Sequence, residues 1–360
     1  MPVPLFATSL DSHQAAIGER LSEVARSGRY ILGPEVEGFE REFAAYLGVE
    51  HCIGVANGTD ALTIALRALG VRPGDEVVLP SFTFYATAEA VVNAGARPVF
   101  CDIDPETFCV TRATVEQVLS ERTKAIVPVH LFGNLAPVDD LSVLGPPVLE
   151  DAAQAAGATI DGRHAGALGD AATFSFFPSK NLPCLGDGGA IATNDPDVAE
   201  RVRRLRFHGS ADKQTFVDVG YNSRLDALQA AVLRLLLPEL DGWNAAREAV
   251  ARAYERDGLG ELVTLPRPSA GVRHVYHLYV VRHERADELA AALARAGVAA
   301  RAYYRRPVHL QPAMEAYRGP PSLAALPGTD EAARTHLALP MGTRLSEQEI
   351  GRVIEACAAA

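Results

Sequence analysis

The chain has 360 residues, 48% hydrophobic and 22% charged, with a formal net charge of -11. That composition fits a soluble globular protein large enough for one big domain and a smaller one. The acidic balance repels nucleic-acid backbones and no uncharged run is long enough to span a bilayer, so neither nucleic acid nor membrane is an expected partner. Five cysteines, Cys52, Cys101, Cys109, Cys184 and Cys357, lack paired metal-ligand spacing, so no metal site is expected. Their odd number and dispersion point to reduced, mostly buried thiols in the cytoplasm. The first seven residues hold no basic region ahead of an apolar core, so no secretory leader is expected.

Residues 9–27 read as a first helix, broken by Gly28 to Pro34. Val36, Phe39, Phe43 and Leu47 then recur at helical spacing. A buried strand is expected at 51–56, followed by the polar turn Asn57-Gly-Thr-Asp60 and an apolar helix closed by Gly70. The unit repeats in kind: strands at 76–80, 97–101, 123–129 and 147–149, with helices at 87–93 and 112–119 between them. Such alternation predicts an α/β fold with a mostly parallel central sheet flanked by helices.

Next comes Phe174-Ser-Phe-Phe-Pro-Ser-Lys180, then Gly186, Gly188 and Gly189, then a second apolar run from Ala190. Two short strands flank a turn whose glycines suggest unusual backbone angles. A helix follows at 196–206, whose arginines read as a solvated face, then an irregular loop at 209–222. A long helical region starts at Ser223 with a break at Pro238, and another helix runs over 243–256. The remainder reads as a smaller α+β unit: strands at 275–281 and 298–304, helices at 286–296 and 346–358. The expected division is a large domain over 1–242 and a small C-terminal domain over 243–360.

Ligands of α/β sheets bind where strands end, so the residues after each strand matter most. Gly58 and Thr59 open a helix and suit a phosphate, or form a plain cap with Asn57 or Thr59. Phe84 ends another strand, as an aromatic plate or as core packing. Glu150-Asp151-Ala-Ala-Gln154 places carboxylates after an apolar run, where burial is costly without a cationic partner, or forms a helix N-cap. Lys180 follows the next strand, with Ser175 five residues before it. A lysine against apolar walls loses hydration and becomes a usable nucleophile; otherwise it is a surface lysine in a loop. A phosphate seat, an aromatic plate, a buried carboxylate and an activated lysine are together the parts that hold pyridoxal phosphate.

The markers in order are Asn57-Gly-Thr-Asp60, Pro80-Ser-Phe-Thr-Phe84, Pro128-Val-His-Leu-Phe-Gly133, Glu150-Asp-Ala-Ala-Gln154, Phe174-Ser-Phe-Phe-Pro-Ser-Lys180-Asn, Gly186-Asp-Gly-Gly189 and Gly220-Tyr-Asn-Ser-Arg-Leu225. From about Gly28 onward the chain resembles the DegT/DnrJ/EryC1/StrS family of fold-type-I sugar aminotransferases. The resemblance implies pyridoxal 5'-phosphate as cofactor and Lys180 as its Schiff-base lysine. It implies Asp151 on the pyridine nitrogen, Gln154 on the phenolic oxygen and Phe84 stacked on the ring. Gly58, Thr59 and Ser175 would seat the phosphate, with a backbone N–H from Asp60. Asn222 would reach the phosphate of a neighbouring subunit, which implies a homodimer with shared sites. Pro183-Cys184 departs from the small residues frequent in the family beside the lysine. Arg305 and Arg306 stand where relatives often carry proline, meeting either a diphosphate or water.

The same resemblance implies L-glutamate as amino donor and a keto sugar on a nucleoside diphosphate as acceptor. Family members that are dehydratases carry histidine in place of the lysine, so Lys180 favours transamination. A dTDP-linked 3-keto-6-deoxyhexose is the expected acceptor, against 4-keto sugars, uronates or a cyclitol ketone. Tyr221 and His309 are the candidate sugar contacts, with core packing the other reading for His309. A pyridoxal-phosphate-binding regulator without turnover is the alternative from another class. No G-x-G-x-x-G opens the first helix, which disfavours a nicotinamide-dependent dehydrogenase.

Overall fold

Seven short apolar strands build the central sheet of the computed structural model, which describes residues 2–7, 10–318 and 325–360. They are β1 (His51–Val55), β2 (Glu76–Pro80), β3 (Arg97–Cys101), β4 (Thr123–Ile126), β5 (Leu149–Asp151), β8 (Ala171–Ser175) and β9 (Gly189–Thr193). A small hairpin, β6 (Thr159–Ile160) and β7 (Arg163–His164), lies between β5 and β8 in sequence and pairs with β10 (Val272–Arg273). Strands β3-β2-β4 pair in parallel. Strands β5-β8-β9-β1 form a second ladder. Parallel bridges Ile126–Val148 and Val129–Asp151 join the two into one sheet, ordered β3-β2-β4-β5-β8-β9-β1. Only β9 runs against its neighbours, so the sheet is mostly parallel as expected.

Both faces of the sheet are covered, which is why the strands are apolar almost throughout. Side chains alternate between faces with period 2. Ile53, Val55, Leu79 and Ile191 pack with helices Gly58–Ala68, Tyr85–Asn93 and Pro196–Leu205. Cys52, Ala172, Phe174, Ala190 and Ala192 pack with helices Pro34–Leu47 and Ala227–Leu236. On that second face Phe43 stacks on Phe39 at 5.4 Å and meets Phe174 and Phe176 edge-on. The helix Leu240–Arg256 runs unbroken through residue 242, beginning in this cluster and ending in another. That other cluster holds strands β11 (Tyr279–Arg282) and β12 (His336–Leu339), paired antiparallel, and helices Ala286–Arg295 and Glu347–Ala358.

Several expected elements differ in extent, each for a local reason. Residue 9 lies outside the described residues; a 3-10 turn, Asp11–His13, precedes the helix Gln14–Ser27. The helix expected over 112–119 stops at Glu116. The helix expected from 223 starts at Ala227, because Asp226 caps it through Gln229 N–H at 2.9 Å. Strand β11 begins at Tyr279 rather than 275, since Tyr276 takes φ 44 and breaks the extended run. Residues 298–304 make only the isolated bridges Val3–Val298 and Arg301–Ala338. The unanticipated β12, after helix Pro327–Thr335, is the partner of β11. Among the described residues no helix is long and apolar enough to cross a membrane. Nor does any group of three or more His, Cys, Asp or Glu there offer a metal site.

The aromatic cluster ties the Pro34–Leu47 helix to β8. Phe43→Ala is expected to lower the unfolding free energy by about 3–5 kcal/mol. Urea denaturation measures it; a loss below about 1 kcal/mol would show that the cluster closes around the void.

Candidate active site

Strand β8 ends at Ser175, and the chain then folds back before entering β9. Phe176 N–H donates to Gly188 O at 2.8 Å, Cys184 N–H to Phe176 O at 2.7 Å and Lys180 N–H to Phe177 O at 2.8 Å. This closed loop is fastened by Phe176, buried against Phe39. The Pro183-Cys184 departure is absorbed within it: Cys184 is buried and its thiol donates to Gly186 O at 3.2 Å. The glycines are not there for unusual angles, because Gly186, Gly188 and Gly189 are absent from the positive-φ residues. Close approach is the constraint instead. A Cβ on Gly189 would stand 2.4 Å from Asn57 O, and one on Gly58 2.9 Å from Ser175 Cβ.

Those two contacts press the first residues of β9 and the end of β8 against the turn after β1. There Asn57 caps the helix, accepting from Asp60 N–H at 2.8 Å. The cap reading of this turn is thus present, and it leaves room for a phosphate beside it. The Asp60 N–H, expected to serve a phosphate, is already engaged by Asn57. Gly58 and Thr59 remain as N–H groups of the first turn, for which the helix has no carbonyl.

Strand β5 contains the two carboxylates rather than preceding them, and its alternation separates them. Glu150 turns inward, where both it and His130 are fully buried. It accepts from Gly166, Leu168 and Gly169 N–H at 2.8–2.9 Å. His130 Nδ1 accepts from Ala136 N–H at 3.1 Å, so its Nε2–H donates to Glu150 at 2.8 Å. Asp151 turns the other way, into a cleft of about 910 Å³. It accepts from Thr87 Oγ1–H at 2.9 Å and from Ala153 N–H at 3.2 Å. Burial raises its pKa, with these bonds and Lys180 working in the opposite direction.

Lys180 lines the same cleft. Loss of hydration pulls its pKa down from 10.5 to about 8, against the pull of Asp151 that favours the ammonium. Gln154 Oε1 accepts from Phe132 N–H at 2.7 Å, which leaves its Nε2–H as the donor, to Tyr304 OH at 3.3 Å. Phe84 is 56% exposed on the cleft wall, 6.1 Å from the Tyr304 ring. The cleft thus gathers Gly58, Thr59, Asp60, Phe84, Asp151, Gln154, Ser175 and Lys180 from four separate chain segments.

Three expected residues are elsewhere. Tyr221 OH takes a hydrogen bond from Arg67 at 3.3 Å and its ring packs on the helix-side core. His309 is half-buried, bonded to the buried Ser81 hydroxyl and near Phe100. Neither lines the cleft of its own chain. Asn222 is exposed, held by Arg224 at the foot of the 209–222 loop, and is also outside that cleft. The arginines at 305 and 306 meet neither a cleft nor only water: Arg305 binds Asp287 and the Ala333 carbonyl, and Arg306 the Leu310 carbonyl at 2.8 Å. Arg206 is no solvated residue either, since it is buried against Glu40 and Gly54 O.

Thr87, Tyr304, His277 and Arg301 line the cleft without having been expected there. Thr87 had a readable signal, a hydroxyl two residues into the helix after Phe84. The other three come from distant segments that carry no local mark.

The set fits pyridoxal phosphate by the chemistry of its groups: helix-start N–H donors and a serine for the phosphate, a buried carboxylate, an amide donor and a desolvated amine. The fold and this cleft define a pyridoxal-phosphate-dependent aminotransferase. The chain belongs to the DegT/DnrJ/EryC1/StrS aminotransferase family, whose pattern it matches over residues 11–358. It is 46% identical to a "Pleiotropic regulatory protein" of Geobacillus stearothermophilus, over 99% of this chain and 97% of that one. It is 46% identical to the dTDP-3-amino-3,4,6-trideoxy-alpha-D-glucose transaminase of Streptomyces venezuelae, over 93% and 89%. The crystal structure of S. venezuelae DesV superposes with a TM-score of 0.94 at 44% identity, covering 99% and 97%. NtdA of Bacillus subtilis, solved with bound cofactor PMP, gives 0.90 at 30% identity, covering 99% and 85%.

Two outcomes follow from this geometry. Lys124, Lys180 and Lys213 are the chain's three lysines, so amine modification can be mapped cleanly. In cofactor-free protein, modification of Lys180 is expected to rise with pH through a midpoint near 8. In Asp151→Asn the midpoint moves lower, because the carboxylate favours the ammonium; an upward move would contradict the assignment. Gly189→Ala is expected to cost about 1–3 kcal/mol in urea denaturation and to weaken cofactor affinity, through overpacking against Asn57.

Proposed function

We propose that this enzyme transfers the amino group of L-glutamate to the 3-keto carbon of a dTDP-linked 6-deoxyhexose. The observation that carries the reading is the placement of Lys180 and Asp151 in one cleft at the carboxyl end of the sheet. Lys180 is the covalent anchor of pyridoxal phosphate. When bound, the cofactor supplies a conjugated ring that takes up the electron pair left at the substrate α-carbon.

The chain's own residues do the rest. Asp151 would keep a proton on the ring nitrogen, and Thr87 fixes the carboxylate's orientation through its hydroxyl. Gln154, its amide oxygen engaged by Phe132 N–H, would offer Nε2–H to the ring's phenolic oxygen. Gly58 and Thr59 N–H and the Ser175 hydroxyl would bind the phosphate, and Phe84 would cover the ring face. Once freed by the incoming amine, Lys180 would take the proton from the substrate α-carbon, hold it as an ammonium and release it again within the cleft. A pKa near 8 leaves an appreciable fraction of the amine unprotonated at neutral pH, as a base requires. In the second half the same residue carries the proton in reverse.

The acceptor class is supported by the name of the Streptomyces venezuelae relative and by cleft size. About 910 Å³ is at the upper end for small-molecule sites, room for a cofactor and a sugar together. We read the protein as a homodimer in which Asn222 reaches the partner's phosphate. Its exposure, and its place outside the cleft of its own chain, support that reading. Five buried free cysteines support a reducing compartment, the cytoplasm. The name of the Geobacillus stearothermophilus relative favours a second reading, a regulator that binds pyridoxal phosphate without turnover.

Purified enzyme with L-glutamate and a dTDP-3-keto-6-deoxyhexose is expected to release 2-oxoglutarate in step with aminated sugar. Binding of the cofactor without keto-sugar-dependent 2-oxoglutarate would favour the regulator. Lys180→Ala is expected to lose at least about a thousandfold in kcat, the scale of a removed acid–base group together with its covalent role. Wild-type turnover in that variant would overturn the mechanism.

A further inference from the structure

One buried titratable side chain of the cleft has no part in the mechanism above. His277 is 4% exposed and lines the same wall as Lys180. Its Nδ1 lies 3.2 Å from Asn181 Oδ1, on the residue next to the lysine. The direction of that bond follows from what stands behind it. Asn244 Nδ2–H donates to Ala156 O at 3.0 Å, so Asn244 Oδ1 is an acceptor. Asn181 Nδ2–H donates to that oxygen at 2.8 Å and to Val275 O at 3.0 Å. Reversing the Asn181 amide would set its oxygen against two oxygens. Oδ1 must therefore face His277, and the ring donates Nδ1–H. A backbone carbonyl thus fixes a histidine tautomer through two buried amides. Gly157, at φ 87, leaves room for the first link: a Cβ there would stand 2.4 Å from Asn244 Nδ2.

The other ring nitrogen then holds the lone pair. Asn181 is buried and lies outside the cleft lining, so the Nδ1 edge faces the interior and the Nε2 edge faces the cleft. The charged groups that act on the ring are Lys180, from the loop between β8 and β9, and Arg247, from the helix behind; Asp60, Glu89, Asp151, Asp187 and Arg301 line the same cleft. Burial, then Lys180 and Arg247, hold the ring well below the usual histidine range, so it stays neutral.

We propose that His277 is a positioning residue for Lys180, its Nε2 lone pair accepting a hydrogen bond from the ammonium that Lys180 becomes whenever it takes up a proton. A neutral ring adds no second cation beside the base. It also gives the newly formed ammonium an acceptor in a place where water is scarce. The proposal rests on Lys180 as the base of the reaction.

The test uses the full chain, cofactor removed, and reads the pH midpoint of Lys180 modification by peptide mapping in wild type, His277→Leu and His277→Gln. Losing the acceptor destabilises the ammonium, so the midpoint in His277→Leu is expected to fall by about one pH unit, the scale of one bond to a charged group. His277→Gln, which keeps an acceptor, is expected to recover most of that shift. Nitrogen-15 NMR of histidine-labelled wild type is expected to show the Nδ1–H tautomer of His277, with no titration across neutral pH. An unchanged midpoint in His277→Leu overturns the proposal, and so does an Nε2–H tautomer in wild type, which needs no variant to fold. These readouts need no cofactor. Failure of the aminotransferase reading, seen as absent 2-oxoglutarate release, is therefore a separate result.

Discussion

Removing the Lys180 amine from water is the constraint on which the structure depends. In solution that amine would be almost wholly an ammonium at neutral pH, useless as nucleophile or base. The end of a buried sheet supplies the necessary walls. Strands β5 and β8 are parallel neighbours, with Asp151 opposite Thr173. The carboxylate at the end of one and the lysine just beyond the other therefore come into the same cleft. Desolvation lowers the lysine and Asp151 raises it, and desolvation wins by enough to leave a pKa of about 8. The carboxylate survives burial because Thr87 and Ala153 hydrogen-bond it.

A second constraint is steric. The phosphate turn, the end of β8 and the start of β9 converge so closely that Gly58 and Gly189 have no room for a side chain. The reversed direction of β9 is what lets the loop after Lys180 return at once to the same end of the sheet. Without that reversal, the glycine contact with Asn57 and the closed loop around Lys180 could not coexist. The fold thus brings Lys180, the Gly58–Thr59 turn and Asp151 together from strand ends, and leaves the periphery of the cleft to other segments.

What could be read from the chain beforehand follows the same division. Strand-end residues stood out because short apolar runs mark their strands, and the family resemblance then gave Lys180, Asp151, Gly58 and Ser175 their roles. The residues that come from distant segments did not stand out. His277 sat inside what looked like a strand, and the left-handed Tyr276 that breaks the run leaves no compositional trace. Strand β12 is four residues long and follows a helix directly, too brief for its period to register. Tyr221 and His309 resembled substrate contacts because both are polar residues beside motifs. In the structure each has a protein partner, Arg67 and Ser81, and lies outside the cleft of its own chain. The glycine cluster was recognised correctly but for the wrong reason, since contact distance cannot be seen without the neighbouring strand.

The central claim is that Lys180, of three lysines, is the one residue that bonds covalently to pyridoxal phosphate. Its most direct test is borohydride reduction of the cofactor-loaded protein, followed by peptide mapping of the pyridoxyl label. The account predicts one label per chain, on Lys180, with the exposed Lys124 and Lys213 unmodified. A label on either of those lysines, or none on Lys180 in protein that retains the cofactor, would contradict it.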